Sequence, residues 1–165
     1  HKPSAQHVLD DDYYKRIEAI QFTMSHDDGK KVDDTNEADV ILLGVSRTSK
    51  TPTSIYLANR GYKTVNIPLV LDQKIPEDLK TNKTSCIIGL IADPERLSDI
   101  RRNRVAIMKD HNLKEYTDLS FIKKEVEDSK NLFKRNNWPI IDVTRRSVEE
   151  TAASILKIIE IKKNK

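Results

Sequence analysis

The chain has 165 residues, long enough for one domain with its own core and no disulfide or metal staple, at about 150 residues per domain. Apolar residues make up 37% and charged residues 33%, and no apolar run approaches the roughly 18–20 residues a membrane-spanning helix requires. The 29 basic and 26 acidic side chains nearly cancel, to a net charge of +3, which argues against a nucleic-acid partner, and the single cysteine, Cys86, excludes a disulfide framework and a multi-cysteine metal site.

These features point to a cytoplasmic, reducing compartment with no membrane partner. The chain opens on His1 rather than Met, as a piece cut from a longer polypeptide would. In chain order, Tyr13, Ile17, Ile20 and Met24 recur at steps of three and four behind acidic residues, which predicts an amphipathic helix from Asp10 to His26. Asp27-Asp28-Gly29 ends it and leaves two carboxylates at an already negative helix terminus. Ala38 to Leu43 reads as a buried strand, followed by a helix over about Thr51 to Arg60. Further strands are predicted over Tyr62–Val70, Cys86–Ala92 and Ile140–Val143, with helices over Pro94–Met108, Asp118–Asn136 and Ser147–Lys162 and a polar loop from Asp72 to Thr84. Asp93-Pro94-Glu95 offers a cap followed by proline at the first helical position, and Ser147-Val148-Glu149-Glu150 has the capping-box pattern. Strands alternating with helices imply an α/β fold, a parallel sheet of at least four strands flanked by helices.

The segment joining the first strand to its helix carries the chemistry. Gly44-Val45-Ser46-Arg47-Thr48-Ser49-Lys50-Thr51 fits the phosphate-loop spacing G-x-x-x-x-G-K-[ST], except that Ser49 stands where the second glycine belongs. A strand feeding through such a loop into a helix N-terminus turns backbone N–H groups toward a bound phosphate. Lys50 would then reach the terminal phosphates and the Thr51 hydroxyl would ligate Mg²⁺. Asp27 and Asp28 are candidates for a general base or a metal ligand, although Asp-Asp-Gly is also a common turn. Arg96, Arg101, Arg102 and Arg104 share one predicted helix, with Arg101 and Arg104 the candidate phosphate clamp and a solvated face the alternative. Asp93 and Asp142 each end an apolar strand, where a magnesium-orienting carboxylate would stand, and Asp93 is equally explained as a helix cap.

From Ala38 through Asn59, and again at Gly61-Tyr62-Lys63, Asn66-Ile67-Pro68-Leu69, Asp93-Pro94-Glu95-Arg96-Leu97 and Ile141-Asp142-Val143-Thr144, the sequence resembles the regulatory proteins of pyruvate, phosphate dikinase, a family shared with the phosphoenolpyruvate synthase regulators. Asp27-Asp28-Gly29 also fits, so the resemblance covers nearly the whole chain. It implies a P-loop-type kinase domain over residues 38–165, a preceding helix and Asp-Asp-Gly segment over residues 1–37 packed upon it, and a family N-terminal domain absent from this chain. It further implies a bifunctional enzyme, an ADP-dependent serine/threonine kinase that inactivates the dikinase and a phosphate-dependent pyrophosphorylase that reactivates it. On that reading residues 44–51 bind ADP, Mg²⁺ accompanies it, and Asp28 with Asp27 serves as acid and base near the acceptor. The expected partner is the dikinase or a related phosphoenolpyruvate synthase, and a homo-oligomer is compatible with the sequence. The residues taken alone also suit a small-metabolite kinase of the shikimate or nucleoside-monophosphate type, or a nucleotide-sensing module without catalysis.

Overall fold

The computed structural model describes residues 3–25, 37–45, 48, 50–69, 85–108 and 118–163. Nine elements follow in chain order: α1 (Pro3–Ser25), β1 (Val40–Gly44), α2 (Lys50–Asn59), β2 (Thr64–Pro68), β3 (Cys86–Ile91), α3 (Pro94–Met108), α4 (Leu119–Arg135), β4 (Ile140–Asp142) and α5 (Val148–Lys163). The strands form one sheet in the order β2-β1-β3-β4, every neighbouring pair parallel. Val40 faces Thr64 on one side and Cys86 on the other, and Gly89 faces Ile140.

Because strand side chains alternate between faces, a central parallel strand must be apolar throughout, and β1 is buried along its whole length. Val40, Leu42, Ile88 and Leu90 pack in a core with Leu57 of α2 and Ala152, Ile155 and Ile159 of α5. Ile41, Leu43, Val65 and Ile87 join Phe133 of α4 in a second core, against which Phe22 of α1 packs. Gly89 makes the second core possible, since a Cβ there would lie 2.3 Å from the Phe133 ring.

The α/β, all-parallel expectation holds, and the element boundaries agree to within a few residues outside α1. The caps also form as local chemistry dictates. Arg96 N–H donates to Asp93 Oδ2 at 3.2 Å, and Glu150 N–H donates to Ser147 Oγ at 3.1 Å.

Helix α1 differs from expectation in extent and in face. It begins at Pro3, so its first turn carries no acidic residue. The ends of the stripe expected to pack lie outside, with Tyr13 55% and Met24 62% exposed, while Ile17 and Ile20 between them are half-buried and Ala19 and Thr23 are fully buried. The cause is tertiary. Thr23 Oγ1 accepts the N–H of Thr64 at 3.1 Å where the edge strand β2 begins, and Lys63 Nζ meets Glu18 Oε1 at 2.8 Å. A helix that satisfies an edge strand's backbone presents the face carrying the hydroxyl, even where a neighbouring stripe is more apolar. Asp27-Asp28-Gly29, His26 and the Asp72–Thr84 loop lie outside the described residues.

Candidate nucleotide site

Between β1 and β3 the order of connection reverses, because β1 leads through α2 to β2 on one side and the chain then returns to β3 on the other. In open parallel sheets such a reversal leaves a crevice beyond the carboxyl ends of the strands, where ligands bind. The segment 44–51 leaves β1 at this point.

The strand end and the loop press closely together. A Cβ on Gly44 would lie 2.7 Å from Thr48 Oγ1 and 2.8 Å from the Leu90 carbonyl, so only glycine lets the loop fold back across the strand end. Thr48, fully buried, donates its hydroxyl to Val45 O at 2.9 Å. Lys50 opens α2, and its Nζ donates to the same Val45 carbonyl at 2.8 Å and to Thr48 Oγ1 at 3.4 Å. Lys50, only 5% exposed, thus holds its ammonium against Val45 and Thr48, beside a helix N-terminus whose own dipole is positive. That arrangement attracts an anion. Ser46, Arg47 and Ser49, expected to complete the cradle, lie outside the described residues.

Thr51, in the first turn of α2, is partly buried, and its Oγ1 accepts a hydrogen bond from Asn66 Nδ2 of β2 at 3.0 Å. On the far side of β1, Asp93 follows β3 and Asp142 is the last residue of β4, both exposed. Thr144 links them: it accepts the Asp93 N–H at 2.8 Å, while its N–H, at 2.9 Å, and its hydroxyl donate to Asp142 Oδ1. The Asp93 carboxylate also caps α3, its Oδ2 accepting the Arg96 N–H, and Asp142 closes a turn with its own strand end. Among the described residues no group of three or more His, Cys, Asp or Glu could hold a metal ion. The Thr51 hydroxyl is a hard oxygen donor of the type that Mg²⁺ takes alongside phosphates and water.

The arginine helix departs from expectation. Arg101 is 1% exposed and its fork is taken by a carboxylate, with Nη1 to Glu125 Oε1 at 3.0 Å and Nη2 to Glu125 Oε2 at 3.3 Å. The pair joins α3 to α4, so the structure gives this guanidinium a bracing role in place of the expected clamp. A bidentate carboxylate occupies the donors that a phosphate would need. The side chain of Arg104 lies outside the described residues. Arg96 and Arg102 are exposed.

Sequence reasoning missed Asn66 and Glu125. A signal for the first was present: Asn66 interrupts the apolar strand Thr64–Pro68, and a buried amide implies a hydrogen-bond partner. Nothing local marked Glu125.

The sequence model of the family described as kinase/pyrophosphorylase matches residues 1–156. The chain belongs to that family. A relative in Pelagibacter ubique is 63% identical over 165 residues, covering 99% of this chain and 60% of the relative. One in a Chelativorans species is 54% identical over 154 residues, covering 93% and 57%. Both are named as pyruvate, phosphate dikinase regulatory proteins, so the chain spans about three fifths of the length of these relatives. No helix of the described residues is long and apolar enough to cross a membrane.

Proposed function

We propose that this member of the kinase/pyrophosphorylase family binds ADP at residues 44–51 and exchanges a phosphoryl group with a threonine of pyruvate, phosphate dikinase or a related phosphoenolpyruvate synthase. The observation that carries the reading is the Lys50 ammonium buried in the loop at the end of β1, at the sheet's reversal point. In the kinase direction the threonine oxygen attacks the β-phosphorus of ADP. The bond from that phosphorus to the bridging oxygen breaks, AMP leaves with that oxygen, and the threonine proton passes to Asp28. In the pyrophosphorylase direction an oxygen of inorganic phosphate attacks the phosphothreonine phosphorus, the bond from that phosphorus to the threonine oxygen breaks, the departing threonine oxygen takes a proton from the protonated Asp28 carboxyl, and the pyrophosphate formed is released.

The residues divide this work by chemistry. Backbone N–H groups of the loop and the α2 terminus orient the two phosphates, and positioning of this kind supplies much of the barrier reduction in phosphoryl transfer. Lys50 leaves Val45 O for a phosphate oxygen and offsets charge as the bond to the leaving group lengthens. Mg²⁺, when bound, neutralises the phosphates. Thr51 would hold it, with Asp93 or Asp142 orienting its water. Asp28 with Asp27 provides the base. The family name and the relatives' names support this reading, with the phosphate-loop spacing of Gly44 to Thr51.

The test is incubation with ADP labelled at the β-phosphate, together with purified dikinase. Label on a dikinase threonine is expected, and unlabelled phosphate added afterwards should release it as pyrophosphate. Transfer to a small metabolite instead would identify a metabolite kinase, and binding without transfer a nucleotide sensor. Asp28→Ala should retain ADP and lose transfer, whereas loss of binding would remove Asp28 from the base role.

A further inference from the structure

Asn66 occupies a position where packing alone would call for a branched aliphatic residue. It lies in β2 between Val65 and Ile67, is 1% exposed, and pairs in register with Leu42, whose side chain packs in the core with Leu57 of α2. Burying an amide costs free energy unless its polar atoms are bonded. Here Nδ2 is 3.0 Å from Thr51 Oγ1, the hydroxyl in the first turn of α2. We infer that Asn66 is a positioning residue of the nucleotide site, its amide fixing the orientation of the Thr51 hydroxyl so that this oxygen can serve a nucleotide-bound divalent cation. The inference rests on the ADP reading above and adds to it a residue from the neighbouring strand.

The choice of amide matters chemically. As a donor, Asn66 makes Thr51 Oγ1 an acceptor and holds its rotamer, and it brings no negative charge toward the phosphates. An aspartate in the same place would demand the hydroxyl's proton and would add a carboxylate that repels the nucleotide or draws the cation to itself. Residues that orient a ligand without touching the metal commonly change metal affinity by about 10–100-fold when replaced. A merely structural tie between β2 and α2 would instead change stability and leave the cation dependence of binding alone.

The experiment compares ADP affinity by titration calorimetry in Mg²⁺ and in EDTA, for the wild-type chain, Asn66→Ala, Asn66→Asp, Thr51→Ala and the Asn66→Ala/Thr51→Ala pair. Asn66→Ala should bind ADP in EDTA within about twofold of wild type and lose about tenfold or more of the gain from Mg²⁺. Thr51→Ala should lose the same gain, and the double variant should lose no more than either alone. Asn66→Val, a branched aliphatic side chain that fills the buried position without a donor, gives the same comparison if Asn66→Ala does not fold. Folded Asn66 variants that keep the full Mg²⁺ gain, or a double variant whose losses add, would overturn the inference while leaving the nucleotide reading intact. A wild-type chain that binds no ADP in either condition would overturn both.

Discussion

The ammonium of Lys50 donates to the carbonyl of Val45 at 2.8 Å, so the cation of the loop is bound to the loop's own backbone. An ionised phosphate oxygen is the stronger acceptor for an ammonium, and an arriving nucleotide should draw Nζ away from Val45 without rebuilding the helix behind it. Lys50→Met keeps most of the stem and removes the charge. ADP affinity should fall about ten- to a hundredfold, the equivalent of a charged hydrogen bond worth about 1.5–3 kcal/mol. Calorimetric titration beside a thermal melt checks this, and unchanged affinity in a folded variant would exclude Lys50 from the phosphate site.

Gly89 and Phe133 form a second close pair, with the ring pressed on the strand where a Cβ would lie 2.3 Å away. Gly89→Ala should destabilise by about 1–3 kcal/mol through overpacking, and Phe133→Ala by about 3–5 kcal/mol through the cavity it leaves. In the double variant the added methyl enters that cavity, so the combined loss should be smaller than the sum. Chemical denaturation of the three variants measures the coupling, and simple additivity would mean that the two residues do not meet.

These contacts mark where local pattern suffices and where it fails. The β1 strand and the caps at Asp93 and Ser147 were legible because each is settled by residues a few positions apart. The packing face of α1 was not, because Thr23 is buried for the sake of Thr64, 41 positions away, while Tyr13 and Met24, the ends of the more apolar stripe, stay outside. Arg101 read as a phosphate ligand for the same reason, since its partner Glu125 is 24 positions away on another helix. Asn66 lay between the two cases. Its burial in an apolar strand announced a partner, and only the fold identified that partner as Thr51.

The brace between Arg101 and Glu125 should respond unequally to single and paired replacement. Glu125→Gln leaves a guanidinium buried at 1% exposure without its countercharge, and removal of one partner of a buried pair costs about 3–5 kcal/mol. Replacing both by apolar residues of similar volume, Arg101→Met with Glu125→Leu, should restore most of that loss, because the desolvation of both charges is relieved together. Urea denaturation decides the matter. If the apolar pair retained ADP binding, that would also confirm that Arg101 serves packing rather than phosphate.

Glu18 and Lys63 couple the docking of α1 to pH. The hydrogen bond from Lys63, 2.8 Å away, and then its charge hold the Glu18 carboxyl below its ordinary range, and the bond to Glu18 raises the Lys63 ammonium. For the carboxylate, stabilisation is present above the unfolded value of about 4.3 and is lost as pH falls through the lower folded value. For the ammonium it is complete below about 10.4 and is lost as pH rises through the higher folded value. The tether therefore acts between those limits, and being exposed it should weaken in salt. Thr64 N–H, bound to Thr23 Oγ1, reports on it by hydrogen exchange. Exchange in Glu18→Gln should exceed wild type near neutrality, and the two should converge as the medium becomes acidic enough to protonate Glu18. A difference that persisted unchanged into acid would show that α1 is held without this ion pair.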